Sequence, residues 1–369
     1  MDGPTCESWV VSEQELLRVL RDRWGYEQFR PLQKQAMLSV LQDRDSLVVL
    51  PTGGGKSLCY QVPALCRPGL AVVVSPLISL MKDQVDSLLQ IGVAAACINS
   101  SLTYREKADV AAAIRARTLR LLYIAPERLL QPQTVEFLKT ADVRFFAIDE
   151  AHCISQWGHD FRPEYRALQQ LRQQFPQSTW HGYTATATPM VRDDIVRQLG
   201  LKSPQVLVGD FFRSNLTYSV KQRSGGVSQI AEVMQEHRDE VGVIYAISRA
   251  KVESLSGALN GLGFRTRPYH AGLSDAERSA NQDALVNDEI QAIVATVAFG
   301  MGIDKSNVRY VIHAEMPKSI ENYQQESGRA GRDGLPAQCW LFYSGADAIT
   351  WKKIAEAGSP ETVEHSLQS

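Results

Sequence analysis

The most informative segment of the chain reads Leu47-Val48-Val49-Leu50-Pro51-Thr52-Gly53-Gly54-Gly55-Lys56-Ser57. An apolar run typical of a buried strand leads into a glycine-rich turn that ends in a lysine and a hydroxyl. Glycines let backbone N–H groups approach an anion, and a helix beginning near Lys56 adds its positive amino end. We therefore predict a phosphate-binding loop in which Lys56 reaches the β- and γ-phosphates and Ser57 binds Mg²⁺. The strict pattern has glycine in place of Leu50, and the alternative is a surface turn with a solvated lysine.

The rest of the chain alternates short apolar runs with helix-like stretches, which is typical of parallel sheets covered by helices on both faces. We predict strands at 47–50, 71–75, 94–98, 119–124, 144–148 and 181–184, then at 242–246, 265–269, 292–296, 310–313 and 338–342. The expected fold class is α/β, with two tandem doubly wound parallel-sheet domains at 1–208 and 209–345. A hinge is expected within 204–215 and a polar helical tail at 346–369.

The composition is that of an ordinary globular protein: the 369 residues are 44% hydrophobic and 22% charged, with a net charge of −2. Nucleic-acid binding would therefore have to use local clefts rather than a basic surface as a whole. The six cysteines have no spacing suited to zinc and are typical of reduced intracellular thiols. No apolar run approaches the ~18 residues of a membrane span, and no signal peptide is recognisable. We expect an intracellular protein, in a bacterial cytoplasm or nucleoid or a eukaryotic nucleus, without membrane contact.

Two acids follow the apolar run at 144–148. Asp149 and Glu150 would emerge at the carboxyl end of that strand, which is the edge where open α/β sheets bind ligands. Together with a phosphate-binding loop, such a pair indicates hydrolysis: Asp149 would hold Mg²⁺ through water, and Glu150 would polarise the attacking water. The alternative is a solvated acidic pair at the end of a strand.

The acids continue into Ala151-His152-Cys153-Ile154-Ser155-Gln156-Trp157-Gly158-His159-Asp160-Phe161-Arg162-Pro163. Exposed aromatics at this place would stack on nucleic-acid bases, which contributes ~1–3 kcal/mol per base. The alternative is that Trp157 and Phe161 pack the loop onto its domain. The segment resembles the aromatic-rich loop of RecQ-family DNA helicases. The resemblance implies that Trp157, Phe161 and Arg162, together with His159, couple DNA contact to ATP hydrolysis.

Further segments resemble RecQ motifs in the family's order, from Gly25–Gln33 to Gln325–Gly334. The resemblance implies two RecA-like domains with an ATP cleft between them, 3′-to-5′ movement on single-stranded DNA, and duplex unwinding in DNA repair and recombination. It assigns adenine binding to Tyr26, Arg30 and Gln33, and contact with the ribose or with an arginine to Asp304. It assigns DNA contacts to Ser75, Arg128, Thr184, Thr186, His270 and Thr296. Taken alone, His270 would more often be a hydrogen-bonded core histidine.

The segment Gln325-Glu326-Ser327-Gly328-Arg329-Ala330-Gly331-Arg332-Asp333-Gly334 carries two arginines three residues apart, which predicts that both lie on one helical face. An arginine directed at the γ-phosphate can raise the rate of hydrolysis ~10³- to 10⁵-fold. The resemblance assigns this role to the pair, with Arg332 as the arginine finger and Arg329 as its partner. They would complete a catalytic set with Lys56, Asp149 and Glu150. The alternative is a pair of surface arginines after a helix.

The implied cofactors are ATP and Mg²⁺, with Ser57 and Asp149 at the metal, and no zinc is expected. RecQ-family members usually continue into a four-cysteine zinc module and a winged-helix domain, which are missing before Ser369. We therefore expect a monomeric catalytic core that acts on single-stranded and forked DNA. Two rival classes would share the ATP site. An RNA helicase or chromatin-type translocase should lack the Trp157 loop, and an ATP-gated binding module has little need of Glu150 and Arg332.

Overall fold

The computed structural model describes residues 13–99, 102–158, 160–300 and 305–357. The chain divides into two compact units, unit 1 (Met1–Asp210) and unit 2 (Phe211–Ser369), each with its own sheet and core. The predicted domain limits at 208, 345 and 369 stay predictions. Within the described ranges, no helix has both the length and the apolar character needed to cross a membrane.

Unit 1 contains a seven-stranded sheet in which all neighbouring strands are parallel, in the order β3-β4-β2-β5-β6-β1-β7. Its strands are β1 (Ser46–Val49), β2 (Leu70–Val74), β3 (Ala95–Ile98), β4 (Leu121–Ile124), β5 (Val143–Ile148), β6 (Thr179–Thr184) and β7 (Gln205–Val208). Its helices are α1 (Glu13–Trp24), α2 (Gln33–Leu41), α3 (Leu58–Cys66), α4 (Ile78–Gln90), α5 (Tyr104–Arg115), α6 (Pro126–Leu129), α7 (Pro132–Lys139), α8 (Pro163–Gln174) and α9 (Pro189–Gln198).

Unit 2 contains a six-stranded, all-parallel sheet in the order β10-β11-β9-β12-β13-β8. Its strands are β8 (Leu216–Gln222), β9 (Val241–Tyr245), β10 (Thr266–Tyr269), β11 (Ala292–Ala295), β12 (Val308–His313) and β13 (Ala337–Tyr343). Its helices are α10 (Val227–Glu236), α11 (Arg249–Gly261), α12 (Asp275–Val286), α13 (Ile320–Ser327) and α14 (Gly345–Ala357).

The central strands of each sheet are mostly apolar because both of their faces are buried. In β9, Val243 and Tyr245 belong to one buried cluster, whereas Ile244 belongs to a second cluster. Successive side chains of a strand point to opposite faces, so a strand buried on both sides has no polar face. The predicted α/β class with two doubly wound parallel sheets is confirmed.

Several helices begin with a serine or threonine whose side chain caps the first turn. Thr103 and Glu106 form a reciprocal capping box at the start of α5, and Ser274 and Glu277 do the same for α12. Thr188 caps α9 by accepting a hydrogen bond from the N–H of Val191. These side chains satisfy N–H groups that have no partner within the helix.

Two edge strands, β7 and β8, were not among the predicted runs. The boundary between the two units, after Asp210, lies within the predicted hinge at 204–215, although residues 205–208 of that range form β7 and pair with β1 in the sheet of unit 1. Val206 and Val208 are 46% and 38% exposed, so this edge strand lacks the continuous burial that marks the central ones. The predicted tail begins as α14, and its residues from 358 on lie outside the described part of the chain.

The carboxyl ends of the central strands of unit 1 lie at one edge of its sheet. The neighbouring strands β2, β5, β6 and β1 are followed there by Ser75, Asp149, Ala185 and the glycine-rich loop. All four strands are parallel, so residues that are far apart in sequence are brought to the same edge.

Candidate functional site

The glycine-rich loop connects β1 with α3 and is shaped by its own backbone. Gly53 and Gly55 have φ angles of 79° and 76°, a region that glycine adopts without penalty. Gly54 N–H donates to Pro51 O at 2.9 Å, and Lys56 Nζ donates to Leu50 O at 3.3 Å. Helix α3 begins at Leu58, slightly later than the predicted start near Lys56.

The segment that precedes α2 contacts this loop directly. The Arg30 guanidinium donates to Gly53 O, and Arg30 N–H donates to Gln33 Oε1 at 2.9 Å. Gln33 Nε2 donates to Gly55 O at 3.2 Å and to Gly54 O at 3.5 Å. The structure therefore brings two of the three predicted adenine-binding residues onto the phosphate-binding loop. The third, Tyr26, is 47% exposed in the same segment.

Asp149 and Glu150 directly follow β5. Asp149 N–H donates to Val74 O at 2.8 Å, and Tyr165 Oη donates to Asp149 O at 3.0 Å, which fixes the backbone between two elements. Desolvation by the surrounding protein, reinforced by the charge of Glu150, raises the pKa of Asp149 to about 7, and Lys56 opposes this shift. A cation bound beside these carboxylates would offset their mutual repulsion.

Glu150 has an unusual backbone conformation and a carboxylate oxygen that accepts no hydrogen bond among the described residues. Glu150 lies in the left-handed region, with φ at 47°. Its Oε2 lies 3.3 Å from His152 Nδ1 but makes no hydrogen bond within the part of the chain that the structure describes. His152 Nδ1 instead lies 2.9 Å from Thr184 Oγ1, whose own proton goes to Thr186 O at 3.1 Å. His152 thus connects the acids with the end of β6.

The side chains at this edge fit a nucleotide with Mg²⁺. A serine hydroxyl at Ser57 and a carboxylate at Asp149 are oxygen ligands of the kind that Mg²⁺ prefers, and Lys56 supplies a positive charge for phosphate. The described residues contain no group of three or more His, Cys, Asp or Glu placed to hold a metal. Mg²⁺ takes most of its ligands from water and substrate phosphates, so two protein ligands suffice.

The loop at 156–162 exposes one aromatic side chain and restrains another. Trp157 is 47% exposed, whereas the ring of Phe161 lies under the Arg166 guanidinium at 5.0 Å. Arg162 donates to Asp160 Oδ2 at 3.2 Å and to Pro76 O at 3.0 Å, so it connects the loop with the segment after β2. His159, the fourth predicted DNA contact of this loop, lies outside the described residues.

A serine that the sequence analysis did not single out holds the start of this loop. Ser155 Oγ accepts from Trp157 N–H at 3.2 Å and donates to Asp194 Oδ2 at 2.7 Å. Ser155 and Asp194 are both buried, and Asp194 lies on α9, which follows the Thr184 segment. No sequence signal marks this pair, because its members are far apart along the chain and serines are common in loops.

The remaining predicted DNA contacts of unit 1 lie at the same edge of the sheet. Ser75 is buried, and its Oγ has no hydrogen-bond partner among the described residues. Arg128, on α6 after β4, donates to the side chain of Gln131. The hydroxyl of Thr186 is also buried without a partner in the described ranges. A bound strand could supply the missing acceptors, because phosphate oxygens accept from hydroxyls.

In unit 2, His270 has partners on both ring nitrogens. Its Nε2 lies 2.8 Å from Glu253 Oε1, and its Nδ1 accepts from Gly272 N–H at 3.1 Å. Thr296 follows β11, and its Oγ1 accepts from Ala298 N–H at 3.4 Å. Asp304 lies outside the described residues, and DNA contact by His270 and Thr296 stays a prediction.

The two predicted catalytic arginines do not lie on one helical face, and this prediction is wrong. Helix α13 ends at Ser327, and Gly331, with φ at 55°, lies in the turns between Arg329 and Arg332. Glycines favour termination of a helix, and one with positive φ reverses the direction of the chain. Arg329 is 6% exposed, and its Nε has no hydrogen-bond partner within the described chain.

Two residues that the sequence analysis placed in the hinge bind the backbone of this arginine loop. Arg213 Nη2 donates to Ala330 O at 3.0 Å and to Gly331 O at 2.5 Å. Asn215 Nδ2 donates to Gly331 O at 2.9 Å and to Leu335 O at 2.8 Å. A cationic side chain after a turn-rich linker is compatible with many roles, so the sequence alone could not identify this one.

Comparison with known proteins agrees with this arrangement. Residues 30–195 match the DEAD/DEAH box helicase family, and residues 226–334 match the helicase conserved C-terminal domain. Among solved structures, the Mycobacterium smegmatis helicase Lhr bound to ssDNA and AMP-PNP superposes with a TM-score of 0.72 at 20% identity, over 94% of this chain and 50% of that one. At this identity the likeness concerns the fold alone.

Sequence relatives are much closer. The chain is 46% identical over 360 residues to the ATP-dependent DNA helicase RecQ of Pasteurella multocida (strain Pm70), which covers 98% of this chain and 57% of the relative. It is 44% identical to the enzyme of the same name from Bacillus subtilis (strain 168), over 93% of this chain and 58% of the relative. The chain thus spans somewhat more than half the length of these relatives. With the motifs in order and identity of this level along nearly all its residues, the chain belongs to the RecQ family of DNA helicases.

Proposed function

We propose that this chain hydrolyses ATP with Mg²⁺ when it is bound to DNA, and that hydrolysis drives 3′-to-5′ movement along a single strand and the unwinding of duplexes. The observation that carries the proposal is the buried Oε2 of Glu150, which makes no hydrogen bond in the described chain and lies at the same sheet edge as the glycine-rich loop. A buried carboxylate oxygen that accepts no hydrogen bond is costly unless a bound group, such as a water to be activated, donates one.

Each residue of the unit 1 site would have its own role in ATP binding and hydrolysis. Lys56 would offset the charge of the phosphates, Ser57 and Asp149 would hold Mg²⁺, and Glu150 would orient the attacking water and accept its proton. Bound Mg²⁺ would neutralise the charge that develops on the transferred phosphoryl oxygens. Arg30 and Gln33 would connect the adenine side of the site with the loop, since both bind its carbonyl oxygens.

Unit 2 is proposed to contribute Arg329 and Arg332, with Arg332 as the arginine finger and Asp304 near the ribose. The proposed DNA contacts are those of the Trp157 loop, the strand-end hydroxyls and the residues assigned in unit 2. Support comes from the exposed ring of Trp157 and from the hydrogen bonds that connect the loop with α9 and with the segment after β2. We propose single-stranded and forked DNA as partners, as part of DNA repair and recombination within the cell.

The deciding experiment measures ATP hydrolysis by the purified chain without nucleic acid and with single-stranded DNA, single-stranded RNA or duplex DNA. We expect single-stranded DNA to stimulate hydrolysis most. Equal stimulation by RNA would favour an RNA helicase, and ATP binding without any hydrolysis would favour an ATP-gated binding module. Hydrolysis that no nucleic acid stimulates would refute the coupled motor.

Glu150→Gln tests the carboxylate that carries the proposal. We expect DNA-stimulated kcat to fall ~10²- to 10⁴-fold, as for loss of a general base, while binding of a nonhydrolysable ATP analogue is retained. Glu136→Gln, a change at an acid whose side chain is 68% exposed on α7, serves as the matched control. Unchanged turnover in Glu150→Gln would show that another group activates the water.

A further inference from the structure

A buried tyrosine in unit 2 contacts a loop that the proposed mechanism uses. Tyr245 is the last residue of β9, the strand between β11 and β12, and is 3% exposed. Its hydroxyl donates to Phe299 O at 2.8 Å, within the loop that begins at Thr296. The hydrogen bond thus joins the end of a central strand to a loop 54 residues later in the chain.

Arg329 lies against the same loop. Burial raises the pKa of Tyr245 to about 12, and the positive charge of Arg329 opposes that shift. A Cβ on Gly300 would lie 2.8 Å from Arg329 Nη2, so the guanidinium lies directly over the backbone of this glycine. The phenol and the Arg329 guanidinium therefore meet the 296–300 loop at the neighbouring residues Phe299 and Gly300.

The ring of Tyr245 is itself held in place. It stacks on His313, its register neighbour on β12, with ring centroids 5.4 Å apart and an interplanar angle of 23°. His313 Nε2 lies 2.8 Å from Glu326 Oε2, and both side chains are buried. Glu326 lies on α13, three residues before Arg329. His313 thus connects the tyrosine with the helix that leads into the arginine loop.

We propose that Tyr245 is a positioning residue for ATP turnover, which acts by fixing the 296–300 loop against which Arg329 lies. This inference rests on the proposed function. An unrestrained arginine side chain has many rotamers, and fixing it in advance removes an entropic cost from the step in which it meets the phosphoryl group. The buried Arg329 Nε, which has no partner within the described chain, remains available to a bound acceptor. In this mechanism Tyr245 itself does not touch the nucleotide.

Tyr245→Phe removes only the hydroxyl, and the same unit offers a matched control. Tyr310 on β12 is also buried, and its hydroxyl donates to Gln291 O at 3.1 Å, just before β11 begins. We expect Tyr245→Phe to lower DNA-stimulated kcat ~10-fold with less than ~2-fold change in KM for ATP, because the arginine acts in the transition state. Tyr310→Phe should change neither value by more than ~2-fold. In an Arg329→Ala background, Tyr245→Phe should have no further effect.

A readout that needs no ATP hydrolysis is hydrogen exchange in the nucleotide-free protein. We expect the segments 296–300 and 328–332 to exchange ~10-fold faster in Tyr245→Phe and at the original rate in Tyr310→Phe. Equal effects of the two variants, or an undiminished loss of kcat in the Arg329→Ala background, would overturn the positioning role. If the unaltered chain shows no DNA-stimulated hydrolysis, the proposed function fails, while the exchange comparison still decides whether Tyr245 holds the two segments.

Discussion

Replacing Gly55 with alanine tests how far nucleotide binding depends on the conformation of the phosphate-binding loop, because Lys56 and Ser57 stay unchanged. A Cβ at this position would lie 2.2 Å from Gln33 Nε2, whereas ordinary contacts begin at 3.4 Å. The Gln33 amide must therefore move by about 1.2 Å, which lengthens its 3.2 Å and 3.5 Å hydrogen bonds to the loop beyond bonding distance. The φ of 76° adds a further penalty for alanine.

The expected magnitude follows from these contacts. Two hydrogen bonds at about 1 kcal/mol each give about 2 kcal/mol, which corresponds to roughly 30-fold weaker nucleotide binding if the loop must re-form to bind. The φ penalty of ~1 kcal/mol should lower Tm by only ~2–4 °C in a unit of this size.

Gly200→Ala is the matched control, because Gly200 has φ at 60° and its nearest neighbour, Arg172 Cδ, would lie at an ordinary 3.6 Å from the new Cβ. Calorimetric titration with a nonhydrolysable ATP analogue and Mg²⁺ measures Kd, and thermal unfolding measures Tm. We expect Gly55→Ala to lose more Tm than Gly200→Ala, because it loses two hydrogen bonds as well, and only Gly55→Ala to lose affinity. Unchanged affinity in Gly55→Ala, or equal losses in both variants, would refute the argument that Gln33 holds the loop.

Two further predictions concern the Trp157 loop and the core of unit 1. Ser155→Ala removes the hydroxyl between Trp157 N–H and Asp194, so we expect half-maximal stimulation of ATPase to need ~3- to 10-fold more single-stranded DNA, with unstimulated hydrolysis unchanged. Burial lowers the pKa of His181 to about 4. Unfolding consequently takes up a proton between about pH 6.5 and 4, and we expect the free energy of unfolding in urea to fall by up to roughly 3 kcal/mol across that range.

Each of these two predictions has a control in the same unit. Ser178→Ala removes another buried serine hydroxyl, which donates to Val143 O at 2.7 Å at the amino end of β5, and should leave DNA stimulation unchanged. An equal effect of both serine changes would argue against a specific role for Ser155. For the histidine, His181→Gln should flatten the pH dependence relative to the unaltered chain. The same slope in both proteins would show that other groups cause it.

Much of the fold follows from local patterns in the sequence. All eleven predicted apolar runs coincide with strands of the two sheets. Central strands are buried on both faces and apolar at most positions, so they stand out without any knowledge of their neighbours. The edge strands β7 and β8 were missed because exposed positions interrupt their apolar pattern.

The site divides in the same way. Pro51–Ser57 and Asp149–Glu150 could be placed from the sequence because each follows its own strand directly, and parallel topology brings such ends to one edge. The arginine pair could not be placed this way. Spacing alone suggested a helix, but Gly331 and the carbonyl contacts of Arg213 decide that these residues form turns.

The sequence by itself determined the class of fold, the order of the strands along the chain and the identity of the phosphate-binding loop, because glycine content and apolar runs act over a few neighbouring residues. Only the tertiary structure decided what holds those parts in register. Three hydrogen bonds join segments that are 39, 118 and 54 residues apart in the chain: Ser155 with Asp194, Arg213 with Gly331, and Tyr245 with Phe299. Such contacts depend on which strands become neighbours in the sheet, and no local pattern carries that information.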